Sequence, residues 1–403
     1  MIKAVLFDLD DTLLLSDKDA FLGTLRERLE AYWATTLNLD RTAFPLQDVV
    51  DALTGLATPH TTNQAAFRQA FLQVVPHLHP HTLEEASARF YTQQYADLRA
   101  LTRPDPLART LVESLLQAGW MVAIATNPLF PAAAIEARLR WANLDPLELD
   151  FARITHAQNS HFSKPQPEYY AEIIAHLGLE PGEVIMVGDN WRNDVLPAAR
   201  LGMHTFWIND KSPRTAEEPA HPMQAGTLMD FARWALAEEG LHQLTPPPMQ
   251  THQVLPRLVG NVGALFGLIE TMPIRYWTQR PDPREWTPLE IVAHLRDSER
   301  SVQRARLITI LEQDNPFLSV SKPPPQPGHF HVETEDGVAL AHEFWQERQQ
   351  TLALLEQLSA PEWQRPARHS TYGPTSLLEM AIFTARHDQL HITQFCQTLG
   401  KCE

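Results

Sequence analysis

Two sets of residues in this 403-residue chain combine types and spacings that could do chemistry. The first is a set of acids. Asp8 and Asp10 follow the apolar run Ala4-Val5-Leu6-Phe7, Asp189 follows Val184-Ile185-Met186-Val187-Gly188, and Asp194 lies five residues further on. Thr126 and Asn127 follow a third apolar run at 121–125, and Lys164 lies in the loop-like Ser163-Lys164-Pro165. Short apolar runs separated by helical patterning are the signature of parallel strands, and open α/β sheets bind ligands where such strands end. One edge would then gather four acids, a hydroxyl and an ammonium. So many carboxylates at close range repel one another unless a cation neutralises them, and hard oxygen donors with room for water and phosphate select Mg²⁺.

The second set is histidine. His387 and His391, four apart, share one face of a predicted helix that starts at the capping box Ser376-Leu377-Leu378-Glu379. His294 follows another capping box, Thr287-Pro288-Leu289-Glu290, with proline at the first helical position. Three imidazoles directed into a helical core leave a coordination position for water or a thiolate, as in an open zinc or nickel site. The bland alternative is histidines that bind no metal. A second pair four apart, His77 and His81, has Pro80 between its members, which interrupts helical continuity.

The elements needed to position these residues follow from the rest of the chain. Between the first two strands lie about ninety residues of helical patterning without a convincing strand, at 19–37 and 82–101 above all, which reads as a helical cap over about 16–105. Prolines 246–248 mark a linker over 241–251 that closes an α/β domain of residues 1–240. Prolines 323–325 and 327 mark a long loop. Residues 252–403 show almost only helical periodicity, in segments 252–271, 287–312, 336–358 and 376–399, the pattern of a four-helix bundle.

Composition excludes several classes. A net charge of -16 repels nucleic acid and anionic lipid. Two cysteines, Cys396 and Cys402, support neither a disulfide framework nor a cysteine zinc site. The first residues turn acidic after one short apolar run, and no later stretch approaches the ~18 apolar residues of a membrane span. The expectation is a cytoplasmic protein without nucleic-acid or membrane partners.

The ordered array Asp8-x-Asp10-x-Thr12, Thr126-Asn127, Lys164 and Gly188-Asp189-x4-Asp194 resembles the haloacid dehalogenase superfamily over residues 1 to about 240. The resemblance implies a doubly wound parallel sheet, a helical cap inserted after the first strand, and phosphoryl transfer through an aspartyl-phosphate. Carried over by position, Asp8 would be the nucleophile, and Asp10 the general acid and base and a metal ligand through its carbonyl. Lys164 would screen the approach of two anions, and Thr126 and Asn127 would hold the phosphoryl oxygens. Asp189 would bind Mg²⁺, and Asp194 would bind it or orient Lys164. Thr12 would supply a turn-fixing hydroxyl. The superfamily's dehalogenases lack an acid two residues after the nucleophile, so Asp10 argues for a phosphatase acting on a small phosphorylated metabolite. A phosphomutase shares these core residues and stays open. Leu9 stands where ion-pump relatives carry Lys, which excludes a pump.

The run Trp286 to Glu299, followed by His387-Asp388-x-x-His391, resembles a DinB-like four-helix bundle over about 252–403. That family implies a divalent metal, Zn or Ni, on His294, His387 and His391. In several members it also implies transfer of a low-molecular-weight thiol. The alternative is a non-catalytic, metal-stabilised module for binding or dimerisation. Arg296, Asp297 and Glu299 are expected to be solvated or to support the ligands.

Overall fold

The computed structural model describes residues 1–39, 49, 58–208, 224–319, 325–332 and 334–402. Pro323 and Pro324 of the second proline cluster lie outside the described residues. The chain forms two compact units, Met1–Tyr170 with Leu179–Pro247, and Ala171–Gly178 with Pro248–Glu403. The division at 247/248 falls inside the first proline run.

The first unit is built on a six-stranded sheet in the order β5-β4-β1-β6-β7-β8, with every pairing parallel. Its strands are β1 (Ala4–Phe7), β4 (Met121–Ile124), β5 (Arg153–Ile154), β6 (Val184–Gly188), β7 (His204–Ile208) and β8 (Gln224–Gly226). Every residue of β1 and β6 is buried, which is why these segments read as unbroken apolar runs. The chain leaves β1 for β4 on one side and later returns to β6 on the other. That makes the β4–β1–β6 crevice the switch point of a doubly wound sheet.

The insertion after β1 holds helices Lys18–Thr36, Asn63–Val74 and Pro80–Gln93, capped by Asp17, Thr62 and His79. Pro80 opens the third of these, so His77 lies outside the helix that carries His81, as the proline implies. Two strands that periodicity did not reveal frame the insertion. These are β2 (Leu14–Ser16) and β3 (Thr102–Pro104), an antiparallel pair of three residues each, too short to leave an alternating pattern.

The second unit contains four long helical segments: Val254–Thr271, Pro288–Ser298 continued by Arg304–Glu312, Gly337–Glu356 and Leu377–Cys402. A π-helical turn, Glu299–Gln303, joins the two halves of the second segment. Against the expectation of helices alone, a small sheet is present: β9 (Phe317–Leu318), β10 (Pro366–His369) and β11 (Gly373–Ser376). Prolines and short length hid these strands from periodicity. A second expectation also needs correction. Thr251–Thr271 is long and apolar enough to cross a membrane by length and composition, with a mean hydropathy of 1.2. Arg257 and Asn261 break its apolar run in the sequence, yet both are buried, and Asn261 donates to the Ala385 carbonyl at 2.8 Å. Of its apolar window 67% is buried within the protein, as in a core helix.

Candidate active site and histidine cluster

Strand register assembles the acid site. Phe7 of β1 lies opposite Ile124 of β4 and Val187 of β6, so the residues that follow emerge side by side at one sheet edge. Asp8 N donates to the Val187 carbonyl at 2.9 Å and Ala125 N to the Phe7 carbonyl at 2.7 Å, carrying the alignment one residue past the strands. Asp8, Thr126 and Asp189 are thereby neighbours although 181 positions separate the first from the last.

Asp194 arrives by a different device. After β6 the chain enters a π-helical turn, Trp191–Val195, capped by Asn190, whose side chain accepts from the backbone of Arg192 and Asn193. The wide turn brings Asp194 back over Gly188, where a Cβ would lie 2.4 Å from Asp194 Oδ2. Only glycine fits. Asp194 Oδ2 accepts from Asn190 N at 2.9 Å, and its Oδ1 from Lys164 Nζ at 2.5 Å. The same ammonium donates to Asp8 Oδ1 at 2.7 Å.

The Lys164 side chain is 2% exposed and that of Asp194 1%. Burial works against the Lys164 ammonium, but Asp194 and Asp8 hold its pKa well above the usual lysine value. Burial pushes the Asp194 carboxyl up, and Lys164 offsets part of that rise. Asp8, Asp189 and Asp194 each present a carboxylate oxygen, all within 4.8 Å of one another. Three clustered carboxylates, two of them sharing the one ammonium, leave a net negative, oxygen-only donor set, which fits a hard divalent cation.

Thr126 is buried, and its carbonyl accepts from the hydroxyls of Tyr169 (2.7 Å) and Thr155 (2.8 Å), which pin the end of β4. Asn127 Oδ1 accepts from Lys164 N at 3.3 Å, across a loop with a cis Lys164-Pro165 bond. Thr12 does not play its expected part. Its buried hydroxyl has no hydrogen-bond partner among the described residues. Backbone bonds from Leu13 and Leu14 to the Leu9 carbonyl hold the turn instead. Asp11, at φ 59°, accepts from Ser16.

Sequence reasoning missed Arg138. It sits 2% exposed on helix Ala132–Trp141, ion-paired to the Asp10 carboxylate and 4.9 Å from the Phe130 ring. Its Nε and Nη2 are buried without a hydrogen-bond partner among the described residues. The available signal was an arginine on the apolar stripe Ile135-Arg138-Leu139.

In the second unit the three histidines converge. His294 Nε2 lies 3.2 Å from His387 Nε2, and the ring centroids of His294 and His387 are 4.5 and 4.6 Å from that of His391. The Trp286 ring stacks on His391 at 5.6 Å and 11°. Burial lowers His294 to about 3 and His391 to about 4, and the neighbouring imidazoles add to both shifts. Those two rings are therefore neutral at physiological pH, the state that ligates metal. Gln394 Oε1 lies 2.8 Å from His391 Nδ1, which fixes that ring with Nε2 free to coordinate. Ligand atoms from all three histidines lie within 4.8 Å of one another, a nitrogen donor set that suits zinc or nickel.

Beneath the cluster is a buried ion network that the sequence did not announce. Arg348 is bound to Asp388 at 2.7 and 3.1 Å and to Glu299 at 2.7 Å, and Thr351 also donates to Glu299. Burial opposes ionisation of Asp388, but Arg348 holds its carboxyl below the usual range. Asp388 Oδ1 lies 3.8 Å from His387 Nδ1. Glu299 is thus not solvated: Arg348 and Thr351 hold its carboxylate inside the core. Arg296, nearly buried, pairs with Asp297, Glu335 and Glu343.

Comparison with known proteins agrees with both resemblances. Residues 2–202 match the haloacid dehalogenase-like hydrolase family, and residues 258–395 match the DinB superfamily. The chain is 27% identical over 228 residues to a glyceraldehyde 3-phosphate phosphatase of Methanopyrus kandleri, covering 54% of this chain and 91% of that protein. It is 26% identical over 204 residues to the pyrophosphatase PpaX of Halalkalibacterium halodurans, covering 51% and 82%. A crystal structure of a HAD phosphatase from Thermococcus onnurineus aligns at 22% identity and TM-score 0.36, covering 60% of this chain and 96% of that one. The N-terminal half of the chain therefore belongs to the haloacid dehalogenase-like hydrolases, and its C-terminal part to the DinB superfamily.

Proposed function

We propose that the N-terminal unit hydrolyses a phosphomonoester through an aspartyl-phosphate on Asp8. The observation that carries this reading is Lys164 bridging Asp8 and Asp194 at the end of β1, beside Asp189. Asp8 attacks phosphorus in line, with Lys164 screening the repulsion between two anions. Thr126 and Asn127 hold the phosphoryl oxygens as charge develops on them. Asp10 protonates the leaving alkoxide, then takes a proton from the water that cleaves the acyl-phosphate. The carboxylates of Asp8, Asp189 and Asp194, with the Asp10 carbonyl, would hold Mg²⁺, which supplies charge neutralisation for the phosphoryl group. The substrate is a small phosphorylated metabolite, as it is for the phosphatases to which this half of the chain is similar. A phosphomutase is the competing reading, separated by whether the phosphoryl group goes to water or to a second hydroxyl. In Mg²⁺, Asp8→Asn is expected to abolish phosphate release from p-nitrophenyl phosphate; equal rates in variant and wild type would refute the nucleophile.

For the second unit we propose a divalent metal, zinc or nickel, on His294, His387 and His391, with an open position that takes a low-molecular-weight thiol for S-transfer. The convergence of two neutral imidazoles with a third supports it. A metal-stabilised binding or dimerisation module is the rival. Bound metal in the full-length protein, with consumption of a thiol by an electrophile, supports transfer. Metal without turnover across several thiols leaves the module, and metal-free wild type contradicts both.

A further inference from the structure

Above the acid cluster lies a cavity of about 570 Å³ whose walls are out of keeping with a triose ester. Its floor includes Asp8, Asp10, Thr126, Asn127, Lys164 and Asp194, the groups that meet a phosphoryl. Its upper wall comes from the helical insertion and the loop after β4 and is mostly apolar: Phe21, Leu25, Trp33, Phe67, Tyr91 and Phe130 line it, with Gln64, Ser87 and Thr92 as the uncharged polar groups of the insertion's helices. Outside the acid cluster, the charged side chains among the described lining residues are Arg26, Arg68, Glu84 and Arg138. Each already has a partner: Arg26 with Glu30 at 2.9 Å, Arg68 with Glu84 at 2.6 Å, and Arg138 with Asp10. Each of these cations is thus ion-paired, and the two Arg138 nitrogens that lack a hydrogen-bond partner are buried out of the cavity's reach, so a second phosphate or a carboxylate on the substrate would have to displace Glu30 or Glu84 from an existing pair.

The volume falls in the range that buries a ligand of drug size, about 300–1,000 Å³. A three-carbon ester would leave most of it empty and would set its hydroxyl and carbonyl groups mainly against rings and methyls, where an unpaired polar group costs about 1–3 kcal/mol. An apolar alcohol gains instead, because each carbon it carries leaves water for that wall.

We infer that the leaving group of the physiological substrate is a hydrophobic alcohol, so that the enzyme acts on a phosphomonoester of an aromatic or extended aliphatic alcohol rather than on a polyhydroxylated or doubly anionic metabolite. The inference rests on the phosphatase reading above and narrows it. The reaction balances as ester and water giving alcohol and phosphate. The P–O bond to the alcohol breaks as the Asp8–phosphorus bond forms, Asp10 passes its proton to the departing oxygen, and water then releases phosphate from Asp8.

The test is a homologous series of n-alkyl phosphates, ethyl to octyl, held below micellar concentrations, with the full-length protein in Mg²⁺, and kcat/KM as the readout. Burying one methylene is worth ~0.8 kcal/mol, or about fourfold, so kcat/KM is expected to climb by about that factor per carbon until the cavity fills. Octyl and naphthyl phosphates should then exceed glyceraldehyde 3-phosphate and phosphoglycolate. A second arm uses Ala133→Trp, at an exposed position on the cavity lining, expected to lower the octyl-to-ethyl ratio. Asp8-dependent hydrolysis that is flat or falling with chain length, a preference for the triose phosphate, or an octyl-to-ethyl ratio untouched by Ala133→Trp would overturn the inference while leaving the phosphatase standing. Absence of Asp8-dependent release from every ester would overturn both.

Discussion

Replacing Arg348 with Met leaves Glu299 and Asp388, whose side chains are 1% and 2% exposed, buried without their countercharge. The guanidinium itself is fully buried, so solvent screens little of the loss. Removing one partner of such a pair costs about 3–5 kcal/mol, mostly the desolvation of the stranded charge. A unit of this size shifts its melting point by roughly 2–4 °C per kcal/mol, so calorimetry of the full-length protein should show one transition moving down by roughly 6–20 °C. The other transition, from the unit that lacks Arg348, should stay in place. The sign of the pH dependence follows from the Asp388 carboxyl. In wild type its folded pKa is depressed, and the stabilisation that follows is present above the unfolded value of roughly 3.9 and lost as pH falls through the folded one. In the variant, burial without Arg348 raises that pKa, so the penalty is largest at neutral pH and shrinks on acidification. The gap between wild type and variant should therefore narrow from about pH 7 to about pH 5. Replacing Glu299, Arg348 and Asp388 together with apolar residues should recover most of the lost stability. A shift of both transitions together, or none beyond about 1 °C, would refute this account of the network.

Arg138→Met should slow hydrolysis of an alkyl phosphate more than of p-nitrophenyl phosphate, because the Arg138 partner Asp10 protonates only a poor leaving group. Equal losses on both esters would reduce Arg138 to a structural role. Gly188→Ala drives a methyl into Asp194 and should cut kcat by about 10²-fold with the fold intact by circular dichroism, a penalty typical of ~1 Å misplacement. Unchanged kcat would show that the close approach has no catalytic consequence. His294→Ala should abolish stoichiometric zinc or nickel in the purified protein without altering Asp8-dependent phosphatase activity; metal retained in full would remove His294 from the ligand set.

What could be read from the sequence depended on how local each signal was. Buried parallel strands declare themselves as unbroken apolar runs, so β1, β4 and β6 are legible with the polar residues that follow them, and Asp8, Thr126 and Asp189 fall at one sheet edge from the sequence alone. Capping boxes at Thr287–Glu290 and Ser376–Glu379 are equally local, and both form. Arg138 and Arg348 were not visible, because a charge on a helix's apolar face has meaning only once its partner is known, and the partners Asp10 and Glu299 lie 128 and 49 residues away. The two π-helical turns were missed for a similar reason. Nothing in Trp191–Val195 or Glu299–Gln303 taken alone favours a wider turn, and only the carboxylates they deliver, Asp194 and Glu299, explain the local departure. The short strands β2, β3 and β9 to β11 carry too few residues for a period of two to emerge.

The central claim is a covalent bond between Asp8 and phosphorus. Acid quenching of the full-length enzyme during turnover of a phosphate ester, followed by mass spectrometry of the N-terminal peptide, tests it directly. A single phosphoryl group on Asp8 that hydroxylamine removes, and that is absent from Asp8→Asn, is the expected result. Steady turnover by Asp8→Asn at the wild-type rate, with no phosphorylated peptide in either protein, would contradict it.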